Sequence, residues 1–424
     1  MKIRIEKIVY PGRSLAREGG KVIFADEGLP GELVEVALVR EKANYAEART
    51  LKIIEPSSSR VPPRCAHYRA CSPYQCIDYP AQIEIKESQV REMFSHHLKI
   101  PADDLRVAPS PKTWGYRNKA RLHLLRRDGG VSWAYHEPGA ADAFVPVESC
   151  FLLSEKANAL LAALLTIIRE KNIDWIAEAT VRESLSGGGL LLLLAGSPPR
   201  DCASLRDTLA AGGGDLSLAG ASVAGKGRGK KLFGEDCLTE EVEGVAYSYG
   251  PSSFFQVNVE MLAHAIRDLK DGLRLTGEET IADLYCGVGT FGLSLASSAR
   301  EVIGVESSRD SIPYLKRNII RNRAGNFTAI EGESEKWAER VLKKEIDVLI
   351  VDPPRRGLEG RVREAIRARP PSRMAYLSCD LATLIRDLKE LSRSYLLSRL
   401  FLYDFFPHTP HVETLCILES KERK

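Results

Sequence analysis

The 424-residue sequence has no apolar run long enough to cross a membrane. Its longest apolar run, at residues 159–168, is about ten residues long, whereas a spanning helix needs roughly 18. The first residues mix charged and apolar side chains, which is unlike a secretory signal peptide. We therefore expect a cytoplasmic protein without a membrane partner.

The sequence also has little excess charge of either sign. Sixty Lys and Arg residues oppose 57 Asp and Glu residues, which leaves a formal net charge of +3. A basic surface for a polyanion is therefore expected only locally. Hydrophobic residues make up 44% of the chain, so a substantial core is expected and a disordered or fibrous protein is excluded.

The nine cysteines are an odd number in a long chain, which argues against a disulfide framework. Cys65, Cys71 and Cys76 lie close together in sequence, and Cys150 follows at a distance. Four thiolates are enough for a [4Fe–4S] cluster or a zinc site. The alternative is that these cysteines are unligated and buried.

Three segments differ in pattern. Residues 1–54 alternate polar and apolar side chains between Pro-Gly and Gly-Gly turns, which predicts a small closed β-barrel of the OB-like kind that binds oligonucleotides. Residues 55–245 begin with a Pro- and Ser-rich linker and predict a central α+β domain that contains the cysteines. Residues 246–424 alternate strands with helices, which predicts a parallel α/β sheet of Rossmann-like type.

A glycine-rich turn at residues 287–292 follows a predicted strand, and its G-x-G-x-x-G pattern lets a cofactor approach the backbone closely. Glu306 ends the next predicted strand, where its carboxylate can accept from both hydroxyls of a ribose. These features fit NAD and S-adenosylmethionine equally. Asp352 follows a third predicted strand and precedes two prolines. Because Asp-Pro-Pro at this point is typical of nucleic acid methyltransferases, it favours S-adenosylmethionine over NAD.

Two residues suited to covalent chemistry are expected at the same edge of the sheet. Cys379 ends the next predicted strand, and Glu413 lies in an irregular loop before the last strand. A thiolate that adds to carbon 6 of uracil activates carbon 5 for methylation, and a base then removes the carbon 5 proton. Taken alone, a cysteine at a strand end is more often a small buried hydrophobic residue.

Five motifs together resemble the RNA uracil-5-methyltransferase family, and the resemblance covers the whole chain. In chain order they are Ser253–Asn258, Asp283–Phe291, Asp352–Arg355, Leu377–Asp380 and Pro407–Glu413. The resemblance implies an S-adenosylmethionine-dependent class I methyltransferase domain, a central domain with an RNA-facing strand at Trp114–Lys119, and an N-terminal TRAM barrel. It also implies a monomer that acts on RNA and not on DNA. A uridine in 23S ribosomal RNA is the favoured target, and the transfer RNA T-loop is the alternative.

Position by position, the resemblance implies Cys379 as the nucleophile and Glu413 as the proton acceptor. The implied contacts to S-adenosylmethionine are Gln256, Tyr285, Glu306 and Asp352. Related enzymes hold a [4Fe–4S] cluster on Cys-x5-Cys-x2-Cys and a distant cysteine. The predicted ligands are therefore Cys65, Cys71, Cys76 and Cys150, although four residues instead of two separate the second and third.

Other activities fit the sequence less well. Cytosine carbon 5 methyltransferases of RNA use two rim cysteines, whereas only Cys379 is suitable here. Methylation of an exocyclic amine would leave both Cys379 and Glu413 without a role. A non-catalytic RNA-folding module would be expected to lack the nucleophile or the base, and both are present.

Two basic stretches are candidates for RNA contacts. Seven arginines lie between Arg355 and Arg373, against only two glutamates, and are predicted to flank the RNA path. A second basic stretch, between glycines, contains Lys226, Arg228 and Lys230–Lys231. For that loop, a solvated turn is as good an interpretation as an RNA contact.

Overall fold

The structure is a computed structural model that describes residues 1–421 apart from 128–129, 138, 140–141, 215 and 225–228. Lys226 and Arg228 of the basic loop lie outside the described residues. Among the residues described, none of the helices combines the length and the apolar character that a membrane crossing requires.

The N-terminal segment forms a six-stranded curled sheet with the strand order β1-β5-β6-β4-β3-β2. Its strands are β1 (Lys2–Arg4), β2 (Lys7–Val9), β3 (Arg13–Glu18), β4 (Lys21–Ala25), β5 (Leu33–Glu41) and β6 (Tyr45–Glu55). The chain between β1 and β2 links the two edges, because Ile5 N–H donates beside β5, to Glu32 O, while Glu6 N–H donates to Leu15 O in β3. Alternate apolar side chains such as Ile23 and Val34 fill the interior. This arrangement is compatible with the predicted barrel.

The segment after this curled sheet is mainly helical. It contains α1 (Tyr68–Cys71), a short 3₁₀ helix (Pro73–Cys76), α2 (Tyr79–Leu98) and β7 (Arg106–Ala108). Asp78 caps α2 by accepting from Ala81 N–H, and Val90 and Phe94 place an apolar stripe against the C-terminal sheet.

The central segment forms a seven-stranded sheet with the order β10-β9-β8-β11-β12-β13-β14. Its elements are β8 (Lys119–Arg127), β9 (Gly130–His136), β10 (Phe144–Val147), α3 (Glu155–Glu170), β11 (Ile176–Glu183), β12 (Leu190–Gly196), α4 (Ala203–Gly212), β13 (Leu218–Val223) and β14 (Lys230–Gly234). The apolar stripe of α3 packs on one face of this sheet. A hairpin of β15 (Leu238–Val242) and β16 (Val245–Tyr249) then leads into the C-terminal segment.

The C-terminal segment supplies seven strands of an eight-stranded sheet with the order β19-β18-β17-β20-β21-β23-β22-β7. Its elements are α5 (Val259–Leu273), β17 (Thr280–Leu284), α6 (Thr290–Ala296), β18 (Glu301–Glu306), α7 (Ile312–Arg321), β19 (Phe327–Glu331), α8 (Ser334–Leu342), β20 (Val348–Val351), α9 (Gly360–Ala368), β21 (Arg373–Ser378), α10 (Leu381–Leu391), β22 (Tyr395–Tyr403) and β23 (Glu413–Ser420). All pairings are parallel except those of β23. Both faces are covered by helices, so the strands are almost wholly buried. The predicted parallel α/β sheet is confirmed, and β7 from the preceding segment adds its edge strand.

Candidate active site

Cys379 and Glu413 lie side by side at one edge of the C-terminal sheet. Ser378, the last residue of β21, pairs with Thr414 in the antiparallel strand β23. Cys379 directly follows β21 and Glu413 is the first residue of β23, so the register places them opposite each other. Glu413 is only 4% exposed, and Cys379 is partly exposed.

The surroundings of this pair disfavour negative charge. Burial, followed by the charges of Glu413 and Asp352, raises the pKa of Cys379 to about 12. Burial and the charge of Asp352 also raise the pKa of Glu413. The Arg355 guanidinium acts in the opposite direction on both groups. The thiol therefore holds its proton at neutral pH in the free protein.

Asp352 directly follows β20, which pairs with β21 on the side away from β23. Burial raises the pKa of Asp352 to about 7. The two prolines after it supply no backbone N–H to pair with its carboxylate. Asp352, Cys379 and Glu413 thus end three neighbouring strands at one edge, as the sequence predicts for this set of residues.

The glycine-rich turn lies at the same edge, one strand further along. Gly287 N–H donates to the Glu306 carboxylate over 2.7 Å, and the other carboxylate oxygen accepts from Ser308 N–H. A Cβ added to Gly287 would meet no atom within 4 Å, so the space beside the turn is open. Each oxygen of Glu306 keeps one lone pair for a hydroxyl donor. These features fit the ribose of a nucleoside cofactor.

Tyr285 and Gln256, the two other predicted cofactor contacts, are each held by neighbouring residues. Tyr285 has a φ of 66°, and its side-chain hydroxyl donates to Glu335 over 3.2 Å. Gln256 lies in the loop between β16 and α5, where Asn118 of the central segment donates to its backbone oxygen. The buried Arg182 holds the same loop by donating to the backbone oxygens of Ser253 and Phe255.

Asp283 was not identified as a site residue from the sequence. It is fully buried in β17, accepts from Gly292 N–H over 2.8 Å, and has a second oxygen that meets no hydrogen-bond partner among the described residues. Burial raises its pKa to about 8. The sequence signal is its position at the end of the strand that enters the glycine-rich turn. The hydrogen bond to Gly292 fixes the start of α6 and thereby the shape of the turn.

Residues of α2 hold the loop that carries Glu413. The Lys86 ammonium is completely buried, pairs with Asp404 over 2.6 Å, and also donates to Phe406 O. Gln82 bonds both the backbone N–H and the ring Nδ1 of His408. The sequence predicted a functional loop but not these supports, because a lysine and a glutamine in an amphipathic helix are normally exposed.

The cysteine segment does not fit a four-thiolate metal site. Burial and the charges of Cys150 and Cys65 raise the pKa of Cys71 to about 11. Cys76 instead interacts with Arg60 and Glu27, and its thiol donates to Pro73 O over 3.3 Å. In the described residues, no group of three or more Cys, His, Asp or Glu side chains is arranged to hold a metal ion.

The side chain of Gln75 lies beside Cys65, with its Nε2 donating to Cys65 Sγ over 3.2 Å. The [4Fe–4S] cluster predicted on Cys65, Cys71, Cys76 and Cys150 is therefore not supported. The physical reason is that these thiols have separate protein partners: Cys76 donates to Pro73 O, and Cys150 Sγ accepts from the Tyr135 hydroxyl.

Part of the arginine-rich stretch serves the protein itself. Arg363 pairs with Asp387 and Glu390, and Arg373 pairs with Glu279 over 2.7 Å. These ion pairs give the two arginines a structural role, and the RNA path predicted for the whole stretch stays a prediction. Arg355, in contrast, lies at the rim, with its guanidinium 3.3 Å from the ring of His411.

The chain is similar to known proteins over its whole length. A family model described as tRNA (uracil-5-)-methyltransferase matches residues 78–421. An uncharacterized RNA methyltransferase of Thermosynechococcus vestitus is 32% identical over 99% of this chain and 98% of that protein. A second, from Synechocystis, is also 32% identical over 99% of this chain and 96% of that protein. The crystal structure of a Pyrococcus abyssi tRNA (uracil-54, C5)-methyltransferase with S-adenosyl-L-homocysteine has a TM-score of 0.76 at 24% identity, covering 99% of this chain and 100% of that one.

Proposed function

Since the chain belongs to the tRNA (uracil-5-)-methyltransferase family and is an RNA methyltransferase, we propose that it transfers a methyl group from S-adenosylmethionine to carbon 5 of one uridine in RNA. The observation that carries this proposal is the pairing of a thiol and a carboxyl on adjacent strands, at Cys379 and Glu413. Carbon 5 of uracil is a poor nucleophile, so its methylation needs both groups.

In the proposed reaction, the Cys379 thiolate forms a bond to carbon 6, and the electrons of the carbon 5–carbon 6 double bond move onto the ring carbonyl. Carbon 5 then takes the methyl group from the sulfonium, which leaves as a neutral thioether. Glu413 removes the remaining carbon 5 proton, the double bond forms again, and the thiolate departs. Because the pKa of Cys379 is about 12 in the free protein, the thiolate has to form after the substrate is bound.

The proposed methyl donor site uses the open space beside the glycine-rich turn. Glu306 would accept from the ribose hydroxyls, while Gln256, Tyr285 and Asp352 would border the rest of the cofactor. Asp283 and Gly292 keep the turn in the shape that leaves this space open. When bound, S-adenosylmethionine supplies an electrophilic methyl group.

We assign RNA binding to residues 1–54 and 55–245, and catalysis mainly to residues 246–424. The proposed target is a uridine of 23S ribosomal RNA. Bacterial members of the family that act on the transfer RNA T-loop often lack the N-terminal barrel. The T-loop uridine is the second candidate, since the P. abyssi protein with this fold is a transfer RNA enzyme. Mass mapping of 5-methyluridine in both RNAs, with and without the gene, separates them. Loss of the mark only from transfer RNA would contradict the ribosomal assignment.

The mechanism is tested with Cys379→Ala, which we expect to abolish methylation without changing the affinity for S-adenosylmethionine, because the thiol acts on the base. RNA containing 5-fluorouridine should trap the unaltered protein as a covalent adduct, since fluorine cannot leave as a proton. Cys202→Ala, which removes a thiol distant in sequence from every proposed site residue, is the matched control and should be trapped normally. Turnover by Cys379→Ala would rule out the thiolate mechanism.

A further inference from the structure

The turn between β2 and β3 of the N-terminal barrel reaches the catalytic edge of the C-terminal sheet. The hydroxyl of Tyr10 donates to Asp380 Oδ2 over 2.9 Å and accepts from Leu381 N–H over 3.2 Å. More than 360 positions separate these partners in the chain. Both lie directly after Cys379, so a barrel residue contacts the segment that carries the proposed nucleophile.

Tyr10 completes the N-cap of α10 from outside the helix. Asp380 is the capping residue, and its Oδ1 accepts from Thr383 N–H over 2.9 Å. The N–H of Leu381 belongs to the first helical turn and has no partner within the helix. The Tyr10 hydroxyl satisfies that N–H and also holds the second oxygen of Asp380. As a result, the peptide that follows Cys379 is fixed on both sides.

The same turn also packs against the loop that leads to Glu413. Gly12 has a φ of 111°, and a Cβ at this position would lie 2.6 Å from Pro410 Cβ. Only glycine fits both the backbone conformation and the spacing. One barrel turn thus contacts the supports of both Cys379 and Glu413.

We propose that Tyr10 is a positioning residue that holds Cys379 in place for attack on the uracil ring, so that the barrel completes the active site. This inference rests on the proposed role of Cys379. Burial, followed by the hydrogen bond to Asp380, raises the pKa of Tyr10, so its hydroxyl remains protonated and can donate at neutral pH. Tyr10 acts through Asp380 and Leu381 and needs no contact with the substrate.

The test is Tyr10→Phe, which removes one oxygen and keeps the ring that packs against the core. Loss of a hydrogen bond that orients the nucleophile should lower the single-turnover rate at saturating RNA about tenfold. The KM for RNA and the affinity for S-adenosylmethionine should stay within about twofold of the original values. Thermal unfolding verifies that the variant is folded.

Lys7→Met is the matched control. Lys7 lies on β2 and pairs with Glu92 of α2 over 2.8 Å, so its loss loosens the attachment of the barrel without altering the cap of α10. This variant should keep the original single-turnover rate. Gly12→Ala provides a second test, since its Cβ displaces the turn, and it should lower the rate with the same pattern as Tyr10→Phe.

If Tyr10→Phe kept the single-turnover rate of the unaltered protein, or changed only the KM for RNA, the positioning role would be overturned. An equal decrease in Lys7→Met would also overturn it, because barrel attachment would then explain the effect. These results differ from failure of the proposed function itself, which would appear as turnover by Cys379→Ala.

Discussion

The site favours the protonated form of the Asp352 carboxyl group more strongly than water does. Burial raises its pKa to about 7, and its charge in turn raises the pKa of Glu413 and Cys379. A carboxyl with a raised pKa destabilises the folded state once the unfolded chain has ionised. The contribution of Asp352 to the free energy of unfolding is therefore expected to fall as the pH rises from about 4 to about 7.

Asp352→Asn should therefore stabilise the protein while lowering its activity. One pKa unit corresponds to about 1.4 kcal/mol, and partial exposure reduces the total, so the expected gain at pH 8 is roughly 1–2 kcal/mol. The gain should be smaller at pH 5, where the native carboxyl is already protonated. Thermal unfolding of both proteins at the two pH values measures the effect. An equal gain at both pH values would contradict the electrostatic explanation.

At the scale of single residues, sequence motifs predicted the catalytic edge better than its supports. Cys379 and Glu413 stand out because they lie in motifs that together resemble one enzyme family, although a lone cysteine at a strand end is usually a buried hydrophobic residue. Tyr10 and Asp283 do not stand out, since a tyrosine in a barrel turn and an aspartate in a strand look ordinary until their partners are known. The prediction of Cys76 as a cluster ligand is not supported for a related reason, because spacing along the chain does not determine the direction of a thiol.

At the scale of elements, α2 is the support of the catalytic loop. The side chains of the Lys86–Asp404 pair are 0% and 2% exposed, and the Tyr79 hydroxyl also donates to Asp404, over 2.8 Å. Removing one member of a buried pair leaves the other charge without its partner. The loop from Asp404 to Glu413 is therefore ordered by a helix that lies outside the C-terminal segment.

Lys86→Met should cost roughly 3–5 kcal/mol of stability and lower activity by loosening this loop. The double variant Lys86→Met, Asp404→Leu should recover much of the stability, because it removes both charges. Denaturant unfolding followed by methylation assays measures both effects. Lys112→Met, which breaks the exposed pair with Glu260, is the control and should cost less than about 1 kcal/mol. Equal losses in the two single variants would show that burial of the pair is unimportant.

Element prediction from the sequence succeeded where the pattern was long and failed where it was short. The strands β17, β18, β20 and β21 were predicted from buried apolar runs followed by helices. The three residues of β7 carry no such pattern, and their parallel pairing with β22 depends on a partner almost 300 positions away. Periodicity identifies a strand but does not identify its neighbour.

At the scale of the whole molecule, protein contacts take the place that a metal cluster would have at the cysteine segment. We expect protein purified without oxygen to be colourless and to contain neither stoichiometric iron nor zinc. Cys65→Ser should change the thermal midpoint little, because Gln75 keeps other partners, including Ser72. Metal analysis and visible absorption test this expectation. A brown protein with four irons per chain would contradict it.

The placement of β7 and α2 affects the order in which the catalytic sheet can assemble during synthesis. These elements leave the ribosome soon after the N-terminal strands, yet the partner of β7 in the sheet is β22, which is made almost 300 residues later. The entire central sheet is translated in the interval. Until the C-terminal segment is made, Val90 and Phe94 of α2 lack most of the apolar residues that they pack with. A nascent chain in this state exposes an apolar helix, and we expect it to be a preferred binding site for chaperones until translation ends.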